Sequence, residues 1–309
     1  MTVVFLLPFF IVFMELFGSY RLRTTRPEPQ DYEAAAEYLA PRIAESVRIV
    51  AALRAYDPLL RQVIGDKLTM AQLAPVDLSG FDTLYALSVD GSFPRHRFSG
   101  RPIVEERFGP LVLYRWDRGA PAPAQLNLVD ELKRARVELH EEGGDIRPCR
   151  YQRPRWTETR FGLSAPPIPP RERFVCDARR PELYVGETII EGLDHRPRRA
   201  IHQRPPSRGS VHTIFPRVEL SEYLSLRTGI HAQFEREGEG APYDLIARFN
   251  GTEIGRIRHH DGEGFRELRV DTTALDGQQG ELRIEIHSED SEDRYIGWAG
   301  VIKRREGTR

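Results

Sequence analysis

Lysine is nearly missing from this chain of 309 residues: Lys67, Lys133 and Lys303 are the only ones, and every other basic side chain is arginine. With 45 basic and 46 acidic residues, the net charge is −1. No global field recruits nucleic acid, so nucleic acid is not an expected partner. The charges of both signs are interspersed, as on a solvated surface, and the arginine bias reads as a trace of genome composition. Cysteine is equally scarce. Cys149 and Cys176 are the only two, with no Cys-x-x-Cys or Cys/His spacing, which excludes a zinc ribbon and a disulfide-dense scaffold. In an oxidising compartment the two would pair, closing a loop of about 27 residues and stabilising by roughly 3 kcal/mol. In the cytosol they would be two unrelated thiols. Also missing are Gly-x-Ser-x-Gly, a Walker loop, Gly-x-Gly-x-x-Gly and His-Glu-x-x-His. No catalytic residue, cofactor or metal site is therefore expected.

Long apolar runs are absent except at the start. From Met1 to Phe17 only Thr2 and Glu15 are polar, and Arg21, Arg23 and Arg26 follow. A spanning helix needs roughly 20 apolar residues, with a lower limit near 17. A transmembrane helix over residues 1–20, with the bilayer as partner, is the expectation. A cleaved signal peptide competes, but no Lys or Arg precedes the run and Phe17-Gly-Ser-Tyr20 is a poor cleavage site. A buried core helix is the third reading. The arginines alone would put the bulk of the chain in the cytoplasm.

The rest divides into an α/β part and an all-β part. Arg26-Pro-Glu-Pro-Gln30 is a linker. Asp31 then suits an N-cap for a helix over Tyr32–Ala44. Strands over Val47–Leu53, Phe81–Val89 and Phe108–Trp116, with a helix over Asp57–Ile64, imply a small α/β domain at 28–118 with some parallel pairing. Residues 119–144 read as a Pro/Ala linker and an amphipathic helix over Leu126–Glu142, stopped by Gly143-Gly144. From Leu183 the apolar period becomes two. Short strands, among them Leu224–Phe234, alternate with turns such as Asn250-Gly251, the strongest short hairpin signal. The expectation for 145–305 is an antiparallel, jelly-roll-like β-sandwich.

Several stretches together resemble the C-terminal extracytoplasmic region of bacterial polytopic glycosyltransferases of family 39, the protein-mannosyltransferase-like GT-C type. They are Asp31-Tyr-Glu-Ala-Ala-Ala-Glu-Tyr-Leu39, Phe81-Asp-Thr-Leu-Tyr-Ala-Leu87, Arg107-Phe-Gly-Pro-Leu-Val-Leu-Tyr-Arg-Trp116, Ile189-Ile-Glu-Gly-Leu-Asp-His-Arg-Pro-Arg-Arg199, Phe265-Arg-Glu-Leu-Arg-Val-Asp-Thr272 and Ser288-Glu-Asp-Ser-Glu-Asp-Arg-Tyr295. The resemblance implies an inner-membrane protein with its soluble domains outside the cytoplasm, against the arginine-based orientation. It also implies a lipid-linked sugar or a glycan as partner. The departure from the family is large: its many membrane helices and its acidic catalytic loop have no counterpart here. By resemblance the chain is the tail of such an enzyme, or a freestanding accessory.

Candidate ligand-binding residues follow from clustering. His195, Arg196, Arg198, Arg199 and His202 form a dense polar group, and arginine forks suit phosphate and carboxylate; a solvated hairpin is the simpler reading of them. Trp156, Tyr184, Tyr295 and Trp298 would serve as stacking platforms for sugar rings, or as core. His259-His260-Asp261 suggests a metal only weakly, because neighbouring strand residues point to opposite faces. The acidic run at 289–293 suits Ca²⁺ or a solvated turn. The expected function is non-catalytic glycan or acceptor recognition by a membrane-anchored extracytoplasmic module. The C-terminal part of a glycosyltransferase and a structural tether for protein partners are the alternatives.

Overall fold

The structure, a computed structural model, describes residues 26–52, 57–77, 80–91, 101–119, 124–153, 170, 172–180, 182–194, 196–238, 240–290 and 294–304. The expected membrane span lies outside them, and among the described residues no helix is long and apolar enough to cross a membrane. The chain forms two compact units, residues 1–72 with 81–121 and residues 73–80 with 122–309.

In the first unit, helix α1 (Pro29–Leu39) starts on a proline, whose missing N–H costs nothing in a first turn. Tyr32, Ala35, Ala36 and Leu39 recur at helical spacing and are its buried face. Asp31 is not the N-cap. It sits inside the first turn and accepts the Glu28 N–H at 2.8 Å. Pro41 has no N–H with which to continue the helical hydrogen-bond ladder, and α1 stops at Leu39 with a 3-10 turn over Ala40–Arg42, short of the expected Ala44. Strand β1 (Val47–Ala51) lies parallel to β2 (Thr83–Val89), and α2 (Asp57–Ile64) falls in the crossover. Strands β3 (Ile103–Phe108) and β4 (Leu111–Asp117) complete the order β1-β2-β4-β3. The single strand expected over Phe108–Trp116 is thus a hairpin end plus a strand. Gly109 makes the turn at φ 53°, and a Cβ there would lie 2.5 Å from the Asp31 carboxylate.

The second unit is a sandwich of two antiparallel sheets, as the period-two pattern implies. Its strands are β5 (Leu126–Asn127), β6 (Arg136–Glu141), β7 (Ile146–Pro148), β8 (Arg150–Gln152), β9 (Arg173–Val175), β10 (Tyr184–Glu191), β11 (Pro197–Gln203), β12 (Gly209–Glu219), β13 (Tyr223–Ile230), β14 (Tyr243–Phe249), β15 (Thr252–His259), β16 (Arg266–Asp271), β17 (Gln279–Ser288) and β18 (Ile296–Lys303). A front sheet of six strands has the order β15-β14-β17-β12-β6-β7. A back sheet of eight follows β16-β13-β18-β11-β10-β9-β8, with β5 paired to β18. The core between them is built from Leu139, Val211, Leu245, Ile284 and Ile286 of the front sheet and Val185, Ile201, Leu224, Leu226, Ile296 and Trp298 of the back. Each such side chain contributes roughly 1.5–3 kcal/mol by leaving water.

The amphipathic helix expected over Leu126–Glu142 is not formed. That stretch is β5, a 3-10 turn at Leu132–Arg134, and β6. Val137 and Leu139 fit a period of two as well as a helical one, and pairing with β12 and β7 decides for the strand. Gly143-Gly144 is the β6–β7 turn, with Gly144 at φ 85°. The strand expected over Leu224–Phe234 ends at Ile230, because His231 caps helix α3 (Ala232–Glu237), its Nδ1 accepting the Gln233 N–H at 3.3 Å. The Asn250-Gly251 hairpin forms between β14 and β15, both residues at positive φ, 48° and 82°.

Cys149 and Cys176 are joined in a disulfide that ties the β7–β8 junction to the end of β9. Residues 73–80, inside the stretch expected to be α/β, belong to the sandwich unit. There Asp77 pairs with the buried ammonium of Lys303 and with Arg227 at 3.4 Å, which compensates a charge that burial would otherwise penalise heavily.

Candidate functional site

Alternation along β6, β12 and β17 sends Val137, Leu139, Val211, Ile284 and Ile286 into the core and leaves polar residues on the opposite face. The sequence reads Glu138-Leu-His140 on β6, Ser210-Val-His212 on β12 and Glu285-Ile-His287 on β17. Register aligns these triplets. His212 lies opposite both Glu138 and Glu285, and Ser210 lies opposite both His140 and His287. The outward face therefore carries two rows, Glu138–His212–Glu285 and His140–Ser210–His287. Next to them, β14 and β15 place Arg248, Asp244, Arg256 and Arg258 on the same face.

Contacts bind the patch together. The His140 and His212 rings stack with centroids 3.7 Å apart. Glu138 Oε2 is 3.2 Å from His140 Nε2, and Glu285 Oε2 is 3.2 Å from His287 Nε2. Arg248 Nε donates to Glu285 Oε1 at 3.0 Å. Ser210 Oγ meets His212 Nε2 at 2.8 Å, whereas Nδ1 of the same ring is buried with no hydrogen-bond partner. Burial drives the His212 pKa down to about 3, against the pull of Glu285, so the ring is neutral at neutral pH. Burial would raise the Glu285 carboxyl, but its hydrogen bond to His287 and the Arg248 charge more than offset that and hold it at about 2. Arg256 bridges Glu253 at 2.9 Å and Asp244 at 3.6 Å. The face thus interleaves guanidinium donors with carboxylate acceptors. Arg256, Arg258 and His287 are about half exposed, while Glu285 is 6 % exposed.

The residues singled out from sequence lie elsewhere, and none of the described ones is on this face. His195 and Trp156 lie outside the described residues. His202 and Trp298 lie on neighbouring strands of the back sheet but on opposite faces of it, since Trp298 pairs with Ile201 and His202 with Gly297; they are 1 % and 0 % exposed. His202 stacks on Tyr295 at 4.0 Å and contacts the Ile296 carbonyl through Nδ1 at 3.0 Å. Trp298 Nε1 donates to Gln203 Oε1 at 3.0 Å. Trp298 fills the core between the sheets, while His202, Tyr184 and Tyr295 are buried against one another on the opposite face, so none is an open platform. Arg199 is held by Glu187 and Asp130, each at 2.5 Å. Arg196 N–H donates to Asp194 at 3.2 Å, and Arg198 lies over the Phe265 ring at 4.6 Å. His259 is fully buried against Tyr243, with Nε2 at 2.7 Å from the Gly264 carbonyl, while Asp261 pairs with buried Arg294. Those two do not converge on a common point.

The signal that was missed is the repeated Glu-apolar-His, present in β6 and β17. Its meaning depends on β12 lying between those strands, a long-range pairing, and on 136–141 being a strand.

No family model and no curated protein matches the chain, so the resemblance to family 39 has no match behind it. Among solved structures the chain is similar to the CBM51-2 (in complex with GlcNAc) and INT domains from Clostridium perfringens ZmpB, at 10% identity over 39% of this chain and 26% of that one, TM-score 0.30. It is also similar to CBM51 from Clostridium perfringens GH95 in complex with methyl-galactose, at 7% identity over 38% and 80% of the two chains, TM-score 0.28. A third is TmCBM27, a carbohydrate-binding module with specific mannan recognition, at 16% identity over 39% and 83%, TM-score 0.27. The chain spans about a quarter of the ZmpB structure. At these TM-scores the likenesses carry no functional conclusion.

Proposed function

We propose that the chain is a non-catalytic recognition module that takes a hydroxyl-rich ligand, a glycan, on the outward face of the front sheet. One observation carries this reading: arginine donors and carboxylate acceptors alternate on that face, with Arg248 between Glu253 and Glu285 and Arg256 between Asp244 and Glu253. A sugar hydroxyl both donates and accepts. A guanidinium beside a carboxylate answers both halves, and adjacent hydroxyls of a ring match adjacent pairs on a pleated surface. Charged partners make the stronger hydrogen bonds, about 1.5–3 kcal/mol each. The strands keep the side chains in place, so little is lost in ordering them.

The disulfide supports placement outside the cytoplasm, where such bonds persist. The apolar run at 1–20 supports attachment to a bilayer, and the family-39 resemblance supports work beside a lipid-linked-sugar glycosyltransferase. The test is a glycan array probed with the full chain in detergent. Binding to a defined class of glycan is the expected result; a folded sample that binds none refutes the reading. Protease shielding on spheroplasts tests the placement separately.

A further inference from the structure

The same face holds a cluster whose chemistry is narrower than sugar recognition. One ring nitrogen of His212, one of His287 and a carboxylate oxygen of Glu285 all lie within 4.8 Å of one another. The geometry points to a binding site for a divalent transition-metal ion, with zinc as the reference ion, held by His212, Glu285 and His287. This site shares Glu285 with the proposed glycan surface, but its test needs no glycan.

The donor set fits. Two imidazoles and a carboxylate suit zinc and its neighbours rather than magnesium or calcium, which take oxygen. Bonds of about 2.0–2.1 Å in a tetrahedral shell set ligand atoms about 3.3 Å apart. Glu285 Oε2 and His287 Nε2 already stand at 3.2 Å. The strands fix two of the three positions against each other, because His212 and Glu285 are register partners while His287 is two residues along β17 on the same face. The remaining closure falls to His287, the most exposed of the three, with 41 % of its side chain accessible.

A second, independent observation is the state of His212. It is 6 % exposed, and its Nδ1 lacks any hydrogen-bond partner. A buried polar atom left unpaired needs a reason, and a coordinated ion is one. The surroundings resemble those that steady metal-bound histidines: Ser210 Oγ engages His212 Nε2 at 2.8 Å, and Arg248 engages Glu285 Oε1 at 3.0 Å. Three protein ligands leave a coordination position facing solvent.

The experiment uses the full chain, free of any affinity tag and stripped of metal, titrated with ZnCl₂ by calorimetry and with Co²⁺ by visible absorption. One zinc per chain is expected, with the absorption bands of four-coordinate Co²⁺. His287→Ala, a half-exposed change that leaves the core intact, should weaken zinc by at least about a hundredfold, the upper end of what even supporting partners cost. His260→Ala, outside the cluster, should bind as the parent does. Absence of zinc binding by the folded parent overturns the site. So does binding that His287→Ala and Glu285→Gln leave unchanged. Glycan is not part of the assay, so its outcome is separable from that of the recognition reading.

Discussion

Glu285 stands opposite His212 across β17 and β12, and its two oxygens serve different partners, Oε1 taking Arg248 at 3.0 Å and Oε2 facing His287 at 3.2 Å. That one carboxylate links the arginine-lined part of the front sheet to its histidine patch. Because its neighbours hold it ionised far below neutral pH, it stays an acceptor under all physiological conditions. A small polar network fixed on a rigid sheet is the arrangement from which both recognition and metal binding are argued above.

Gln203 anchors the sandwich interior. Its Oε1 accepts from Trp298 Nε1 at 3.0 Å and from Thr213 at 2.6 Å, and its Nε2 donates to the Val211 carbonyl at 2.6 Å. Gln203→Leu strands all three partners in the core. The expected loss is about 3 kcal/mol, given about 1–3 kcal/mol for each buried group left unpaired. Urea unfolding measures it, and a loss under about 1 kcal/mol would show the network to be dispensable.

The disulfide between Cys149 and Cys176, which are 27 residues apart, should stabilise by about 3 kcal/mol. Denaturant curves with and without reductant should separate by that amount. The double Cys→Ser variant should match the reduced parent, and identical curves would mean that the bond contributes nothing to folding.

Glu235 is 2 % exposed, and burial raises its carboxyl to about 7. The unfolded chain ionises this group near pH 4.5, whereas the folded chain holds its proton until about 7. Its stability contribution is complete below pH 4.5 and is lost as the pH rises through 7. Glu235→Gln cannot ionise. Relative to the parent, the variant should gain about 3 kcal/mol between pH 4 and pH 8, at roughly 1.4 kcal/mol for each unit of pKa. Titrating groups that do not touch Glu235 cancel in the difference. A constant difference across the range contradicts the assignment.

Local chemistry explains what the sequence disclosed. Asn250-Gly251 can hardly be anything but a tight hairpin, and Tyr32, Ala35, Ala36 and Leu39 recur at helical spacing whatever the fold. Short apolar runs are ambiguous by nature, and Val137 and Leu139 fit a helix as well as a strand until pairing with β12 is known. The candidate site was hidden for the same reason. His202 and Trp298 have the chemistry of a binding site, but the end of β11 and the whole of β18 are buried, and so are both side chains. The front-sheet patch exists only through the register of three strands distant in sequence.

The outward face of the front sheet is the proposed surface for glycan. The most direct measurement compares glycan binding by the full chain with that of the double variant Arg248→Ser and Arg256→Ser at matched melting temperature. A loss of at least about tenfold is expected, since each charged hydrogen bond is worth about 1.5–3 kcal/mol and 1.4 kcal/mol is a factor of about ten. Binding that survives the double substitution, or a folded parent that binds no glycan, would contradict it.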